Sequence, residues 1–175
     1  MSPSKDEARV DELVHNLAAS LDRRGWSLAV AESCTGGGLG ARITEIPGSS
    51  SYFVGGIIAY QNRIKMDELG VPERLLTEHG AVSQQVAEAM ARGCLRRFSA
   101  DLAVAITGIA GPEGGSLDKP VGLVYLAAAV HDLVLSRHHH FAGGRSSVRA
   151  QAVEAALRLA LDALHDPDST EARIP

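Results

Sequence analysis

Four apolar residues, Leu28-Ala29-Val30-Ala31, run straight into Glu32-Ser33-Cys34-Thr35 and then into three consecutive glycines. Leu39, Ile43 and Ile46 then resume an apolar rhythm at helical spacing. The stretch reads as the end of a buried strand, a turn of small residues, and the start of a helix. It constrains the fold more than any other feature, because a strand and a helix must pack back to back across it. It also sets Ser33 and Cys34 where unpaired backbone N–H groups favour negative charge. Two readings stay open at this point. Either a hydroxyl or thiol nucleophile lies beside its own oxyanion hole, or the turn serves packing alone.

Ahead of this stretch, Val10, Leu13, Val14, Leu17, Ala18 and Leu21 mark an amphipathic helix closing near Gly25. Behind it, the Leu39 helix ends at Pro47-Gly48, and Ser49-Ser50-Ser51 reads as a loop. Tyr52 to Tyr60 is rich in β-branched and aromatic residues and predicts a strand, with Gly55-Gly56 marking a bulge or a close backbone approach. Asn62 to Leu69 predicts a short helix, and Pro72 opens another that ends at Gly80. Ser83 caps a helix carrying Val86, Met90, Cys94 and Phe98 at spacings of four, which puts Cys94 in the core.

Leu102 to Ile106 predicts a central strand buried on both faces, stopped by a second glycine-rich turn, Thr107 to Gly115. Val121 to Val130 and Leu133 to Phe141 flank His131-Asp132 as an antiparallel hairpin. Gly143-Gly144 leads into a long helix with Val148, Ala152, Ala155, Ala156, Leu159 and Leu164 inward. The expected architecture is one three-layer α/β domain over residues 10–165, a mixed sheet with helices on both faces and a late hairpin. Residues 1–9 and 166–175 are expected to be flexible tails. In such sheets ligands bind beyond the strand ends. The Ser33 turn, the Thr107 turn and the Gly143-Gly144-Arg145 turn all point there.

Composition excludes several function classes. Net charge is −4, aromatics are 4% of the chain, and no basic block appears, so no nucleic-acid partner is expected. The longest apolar run, Val121 to Val130, is too short to span a bilayer, and the N-terminus carries no apolar signal region. No membrane partner is expected. Cys34 and Cys94 form neither a CxxC pair nor a disulfide framework, which predicts a reducing, cytoplasmic setting. His138-His139-His140 lies on a strand whose adjacent residues alternate faces, so no metal is expected there.

A serine nucleophile needs a group to take its proton. Only His79 sits in a mid-chain loop, and nothing specific supports a Ser-His-Asp triad. Tyr60-Gln61-Asn62-Arg63-Ile64-Lys65 offers a better partner, with Asn62 and Lys65 on one helical face. Lys65 becomes a base only if desolvation or a neighbouring cation, Arg63 or Arg42, keeps its amine neutral; Tyr60 could relay the proton. The competing reading is an ordinary solvated lysine. The Thr107 turn lets backbone amides approach a carboxamide or phosphate. Neither glycine turn has the Gly-Lys-Ser/Thr ending of a P-loop or the GxGxxG order of a dinucleotide fold. Arg145 is placed to meet a phosphate, or is an ordinary arginine at a helix start.

Together these motifs closely resemble the CinA C-terminal domain family, the nicotinamide-nucleotide amidases. The matching residues are Ala31-Glu32-Ser33-Cys34-Thr35-Gly36-Gly37, Gly48-Ser49-Ser50 and Tyr60-x-Asn62-x-x-Lys65. Gly80-Ala81-Val82-Ser83, Thr107 to Gly115, Lys119-Pro120-x-Gly122 and Arg145-x-x-Val148-Arg149 follow in family order. The resemblance implies deamidation of nicotinamide mononucleotide to nicotinate mononucleotide and ammonia, with no metal or cofactor. It implies Ser33 as nucleophile and Lys65 as base, with Tyr60 assisting. Amides of Cys34 and Thr35 at the helix start would hold the oxyanion. Gly36, Ser50, Asn62, Thr107 and Gly108 are the expected substrate contacts, with Arg145 for the phosphate. The expected partners are a pyridine nucleotide and further copies of the chain, as a homodimer or larger. Cys34 as nucleophile, and a silent nucleotide- or protein-binding domain linked to competence or damage response, are the alternatives.

Overall fold

Two strands of this chain carry the same alternation, Leu28-Ala29-Val30-Ala31 in β1 (Leu28–Glu32) and Leu102-Ala103-Val104-Ala105 in β3 (Leu102–Gly108). They pair in parallel with Leu28 opposite Leu102 and Ala31 opposite Ala105. Because side chains alternate across a strand, every large residue falls on one face and every alanine on the other. The chain is described here by a computed structural model over residues 5–165, in which this pair forms the middle of a five-stranded sheet. From edge to edge the strands are β2 (Phe53–Ile58), β1, β3, β4 (Leu123–Val130) and β5 (Leu133–His140).

The large face packs against α1 (Lys5–Arg24), α2 (Gly38–Thr44) and α6 (Arg145–His165) through Leu17, Leu21, Leu39, Ile43, Val148 and Leu157. The alanine face takes α5 (Gln84–Phe98), whose Val86, Ala87, Met90 and Cys94 are fully buried against it. Ser83 caps α5 by accepting the Val86 N–H, and Cys94 is a core residue, both as expected. The sequence pattern thus builds a mixed sheet with helices on both faces.

The edge strand β2 (Phe53–Ile58) runs parallel to β1, while β4 (Leu123–Val130) and β5 (Leu133–His140) form the antiparallel hairpin. Both readings of Gly55-Gly56 hold. Val54 is an extra residue, since Leu28 pairs with Phe53 but Ala29 with Gly55. At Gly56 a Cβ would stand 2.7 Å from the Val30 carbonyl oxygen. Two short helices, α3 (Asn62–Leu69) and α4 (Glu73–His79), link β2 to α5.

Some boundaries differ from expectation. The first helix starts at Lys5, so residues 5–9 are helical and not a tail; residues 1–4 and 166–175 lie outside the described residues. Ala155 is only half-buried, whereas Val153, Leu157, Ala160 and Ala163 join the inward face of α6. No described helix is long and apolar enough to cross a membrane.

Candidate active site

The three parallel strands end together, and each hands one candidate segment to the same place. β1 leads into Ser33, β2 into Tyr60 and Lys65, and β3 into Thr107 and its glycine turn. The chain leaves β1 for β2 on one side and returns from β2 to β3 on the other side of β1, which opens a crevice beyond the strand ends. There a cleft of about 250 Å³ is lined by Ser33, Cys34, Tyr60, Asn62, Lys65, Thr107, Gly108 and Arg145, together with Ala81-Val82 and the Ile109 to Gly114 loop.

Lys65 is only 1% exposed, so it is not a solvated lysine. Its Nζ lies 3.1 Å from Ser33 Oγ, 2.7 Å from the Ala59 carbonyl oxygen and 3.2 Å from that of Tyr60. A neutral amine has two N–H donors and one lone pair. Two carbonyls take the donors, and the lone pair is left for the Ser33 hydroxyl proton. Burial holds the Lys65 pKa down at about 8, well below the usual lysine value. Among the described residues no cation does this work. Arg63 pairs with Asp67 at 3.5 Å, and Arg42 with Asp11 and Glu45.

Ser33 is 8% exposed, and its amide is taken by the Ile106 carbonyl of β3. The Ser33 carbonyl accepts the Gly36 N–H at 3.0 Å, which closes a tight turn with Cys34 and Thr35 at its centre. The helix does not begin at Ser33. It begins at Gly38, and its first amides are occupied by Glu32, a residue whose role sequence reasoning missed. The Glu32 carboxylate, 1% exposed, accepts from Gly37 at 3.1 Å, Leu39 at 3.0 Å and Gly40 at 2.8 Å. The oxyanion donors therefore cannot be helix amides. Among the described residues, the Cys34 N–H donates to no carbonyl or carboxylate and lies in the cleft wall, whereas the Gly36 N–H is spent on the turn and Thr35, fully buried, does not line this cleft. The sequence signal for Glu32 is slight: the N-cap is Gly37, and a glutamate six residues before Gly38 stands outside the usual capping position, so only the preference of helix N-termini for negative charge points to it.

Cys34 is 6% exposed, and desolvation pushes its thiol up to about 11. A thiol held that high is a poor nucleophile at neutral pH. The Tyr60 phenol does not bridge Ser33 and Lys65; it accepts a hydrogen bond from Arg145 Nη2 at 3.1 Å, and Lys65 touches only its carbonyl. Arg145 Nη1 donates to the Gly111 carbonyl at 3.0 Å, so Arg145 straps the glycine loop to Tyr60 across the cleft. Thr107 is buried and donates from Oγ1 to the Ala81 carbonyl at 2.8 Å, joining two walls.

Ser50 is not brought to the site. It lies in a single 3₁₀ turn, Ser49–Ser51, ahead of β2, and the next residue's carbonyl, Tyr52, pairs with Leu28 at the start of β1. That is the opposite end of the sheet from Ser33. His79 faces Glu78 and does not line the cleft. His138 packs on Tyr125 and His139 stacks on Phe141. Among the described residues no group of three or more His, Cys, Asp or Glu side chains is arranged to hold a metal ion.

Comparisons with known proteins agree with this fold. Residues 10–164 match the family described as the CinA C-terminal domain. A CinA-like protein of Mycobacterium leprae is 47% identical over 168 residues, 95% of this chain and 38% of the relative. A CinA-like protein of Geotalea daltonii is 49% identical over 88% of this chain and 37% of the relative. The chain thus spans under two-fifths of the length of these curated relatives. A crystal structure of a competence/damage inducible protein from Agrobacterium tumefaciens superposes with a TM-score of 0.87 at 42% identity, covering 94% of this chain and 98% of that one. A CinA superfamily protein from Escherichia coli superposes with a TM-score of 0.85 at 33% identity, covering 92% and 93% of the two chains. The chain belongs to the CinA C-terminal domain family.

Proposed function

We propose that this chain is an amidohydrolase that converts nicotinamide mononucleotide to nicotinate mononucleotide and ammonia through a Ser33–Lys65 pair. The observation that carries the reading is the 3.1 Å contact between a serine hydroxyl and a buried lysine amine in the wall of a cleft. Neutral Lys65 takes the Ser33 proton as Oγ bonds to the carboxamide carbon. The carbonyl oxygen becomes an oxyanion and is met by the Cys34 amide in the cleft wall. As the C–N bond breaks, protonated Lys65 returns the proton to the leaving nitrogen, which departs as ammonia. Water, activated by the same lysine, then hydrolyses the ester and frees Ser33. The Ser33–Lys65 contact is direct, so this route uses no relay through Tyr60.

The Thr107 to Gly114 wall holds the substrate in this reading, and Arg145 meets its phosphate while strapping Tyr60. The reaction draws on no metal or cofactor, and the enzyme works in the cytoplasm as a homo-oligomer, a state light scattering would measure. Ammonia release from nicotinamide mononucleotide by the purified chain, beside Ser33→Ala and Lys65→Ala, tests the reading. Turnover by wild type and its loss in both variants is the expected result. Turnover that survives in both removes the mechanism. Tight binding of the mononucleotide without turnover replaces it with a silent binding domain.

A further inference from the structure

Arg145 and Arg149 stand four residues apart on α6, so both leave the same face of the helix. Arg145 straps the glycine loop to Tyr60, as described. Arg149 serves the other wall: its Nη2 donates to the Thr35 carbonyl at 2.7 Å. Thr35 is completely buried, and its carbonyl also accepts the Gly38 N–H at 3.2 Å. A trans peptide points its C=O and N–H in opposite directions. Anchoring the Thr35 carbonyl on α6 therefore holds the Gly36 N–H against the Ser33 carbonyl. That bond closes the turn whose central amides belong to Cys34 and Thr35.

Arg149 does not line the Ser33 cleft. It borders a second and larger cavity, about 570 Å³, lined also by Thr35, Gly38, Arg42 and Val153. The guanidinium Nε is buried and has no hydrogen-bond partner in the described structure, so its hold on the turn comes through Nη2. A charged donor on a buried carbonyl is among the stronger hydrogen bonds of a fold.

We propose that Arg149 is a positioning residue that acts from this second cavity, gripping the Thr35 carbonyl and thereby setting the oxyanion-binding Cys34 amide beside Ser33. The inference rests on the amidase reading above. It adds a residue that touches no substrate and reaches the reaction only through the turn.

The test is Arg149→Ala in the full chain. Outright removal of one oxyanion donor costs about 10²–10³ in kcat. Loosening the turn takes part of that, so kcat falls about 10- to 100-fold while KM stays within about twofold. Guanidinium ion, at concentrations far below denaturing ones, enters the vacated space from the second cavity and restores most of the lost kcat. It does nothing for wild type or for Lys65→Ala. Arg158→Ala, an exposed ion-pair partner of Glu154 on the same helix, stays at wild-type activity. Should Arg149→Ala fail to fold, Arg149→Met keeps the apolar stem and removes the donors.

A second readout does not depend on the substrate: the rate at which a fluorophosphonate labels Ser33 falls and recovers in parallel. Labelled wild type that releases no ammonia defeats the amidase reading while still testing Arg149. Unchanged kcat in the Arg149 variants, a loss carried by KM, or a loss that guanidinium does not restore overturns the proposal.

Discussion

Lys65 Nζ and Ser33 Oγ, 32 residues apart in the chain, meet at 3.1 Å inside the protein. Burial holds Lys65 near 8, so its amine is largely protonated at pH 7 and neutral above pH 9. Activity that needs the neutral amine rises with pH through about 8 and then levels off. The same shift has a stability consequence of definite sign. The folded lysine loses its proton near 8, the unfolded one near 10.5. Between these values the unfolded chain binds more protons, so stability rises with pH across that window and the gain is absent below it. Lys65→Met removes both effects. A pH–rate profile and denaturant titrations between pH 7 and 11 measure them; a kcat flat from pH 6 to 9 would exclude Lys65 as the base.

Ser33 and Cys34 are adjacent, and burial separates their roles. With its thiol near 11, Cys34 is thiolate at pH 7 in roughly one molecule in 10⁴. Ser33→Ala is expected to lower kcat by about 10³-fold or more, as loss of a covalent nucleophile does. Cys34→Ala keeps activity within a fewfold of wild type, and iodoacetamide leaves the native protein active. Ammonia release over time measures all three. Inactivation by iodoacetamide, protected by substrate, would transfer the nucleophile to Cys34.

Tyr60 separates a relay from a strut. Its phenol meets Arg145 and not the Ser33–Lys65 pair. Tyr60→Phe therefore lowers kcat by less than about tenfold, because a general acid–base group is worth roughly 10²–10⁴ and this phenol is not one. Its main effect falls on KM, as the Arg145 strap loosens. Steady-state kinetics of Tyr60→Phe, with Arg145→Ala alongside, give the split; a kcat loss above a hundredfold restores the relay.

Much of this was legible in the chain. The Leu-Ala-Val-Ala strands, the Ser83 cap and the hairpin follow from local pattern, because alternation and capping are set by near neighbours. The pairing of Ser33 with Lys65 followed from motif order, yet its distance depends on the β1–β2 register and the extra residue Val54, which no local window reveals. Ser50 was misplaced for a similar reason: a motif names residues without saying which end of a strand they occupy. Arg42 and Arg63 lie near Lys65 or Ser33 in sequence and still turn to carboxylates elsewhere. Burial of Lys65 did the work assigned to them.

Glu32 gives the next prediction. Its carboxylate takes the Gly37 amide and two α2 amides inside the protein, and the strand residue before the nucleophile thereby fixes where the helix starts. Glu32→Gln keeps the shape but puts an NH₂ group against one of those donors. Losing a buried charge-assisted bond costs roughly 1.5–3 kcal/mol, so the melting temperature falls by roughly 5 °C or more. Activity drops with it, since Ser33 adjoins the displaced residue. Calorimetry and kcat on the same preparations measure the two; an unchanged melting temperature would show that the cap is dispensable.

Gly93 tests how Lys65 is carried. It lies on α5 where α3 ends, and a Cβ there would overlap the Leu69 carbonyl. α3 is the helix that holds Lys65, and the Val71 amide closes it by donating to the Lys65 carbonyl at 3.0 Å. Gly93→Ala must push α3 away from α5, at an overpacking cost of roughly 1–3 kcal/mol. The displacement moves Lys65 Nζ relative to Ser33, and near-attack geometry tolerates little of that. Expected outcomes are a lower denaturation midpoint and a kcat reduced about tenfold or more, with the Ser33 labelling rate falling in step. Met90→Leu, a volume-conserving change one helical turn earlier on α5, serves as the comparison and leaves kcat near wild type. A Gly93→Ala protein that loses stability but keeps full kcat would show that α3 moves as a rigid body together with Ser33.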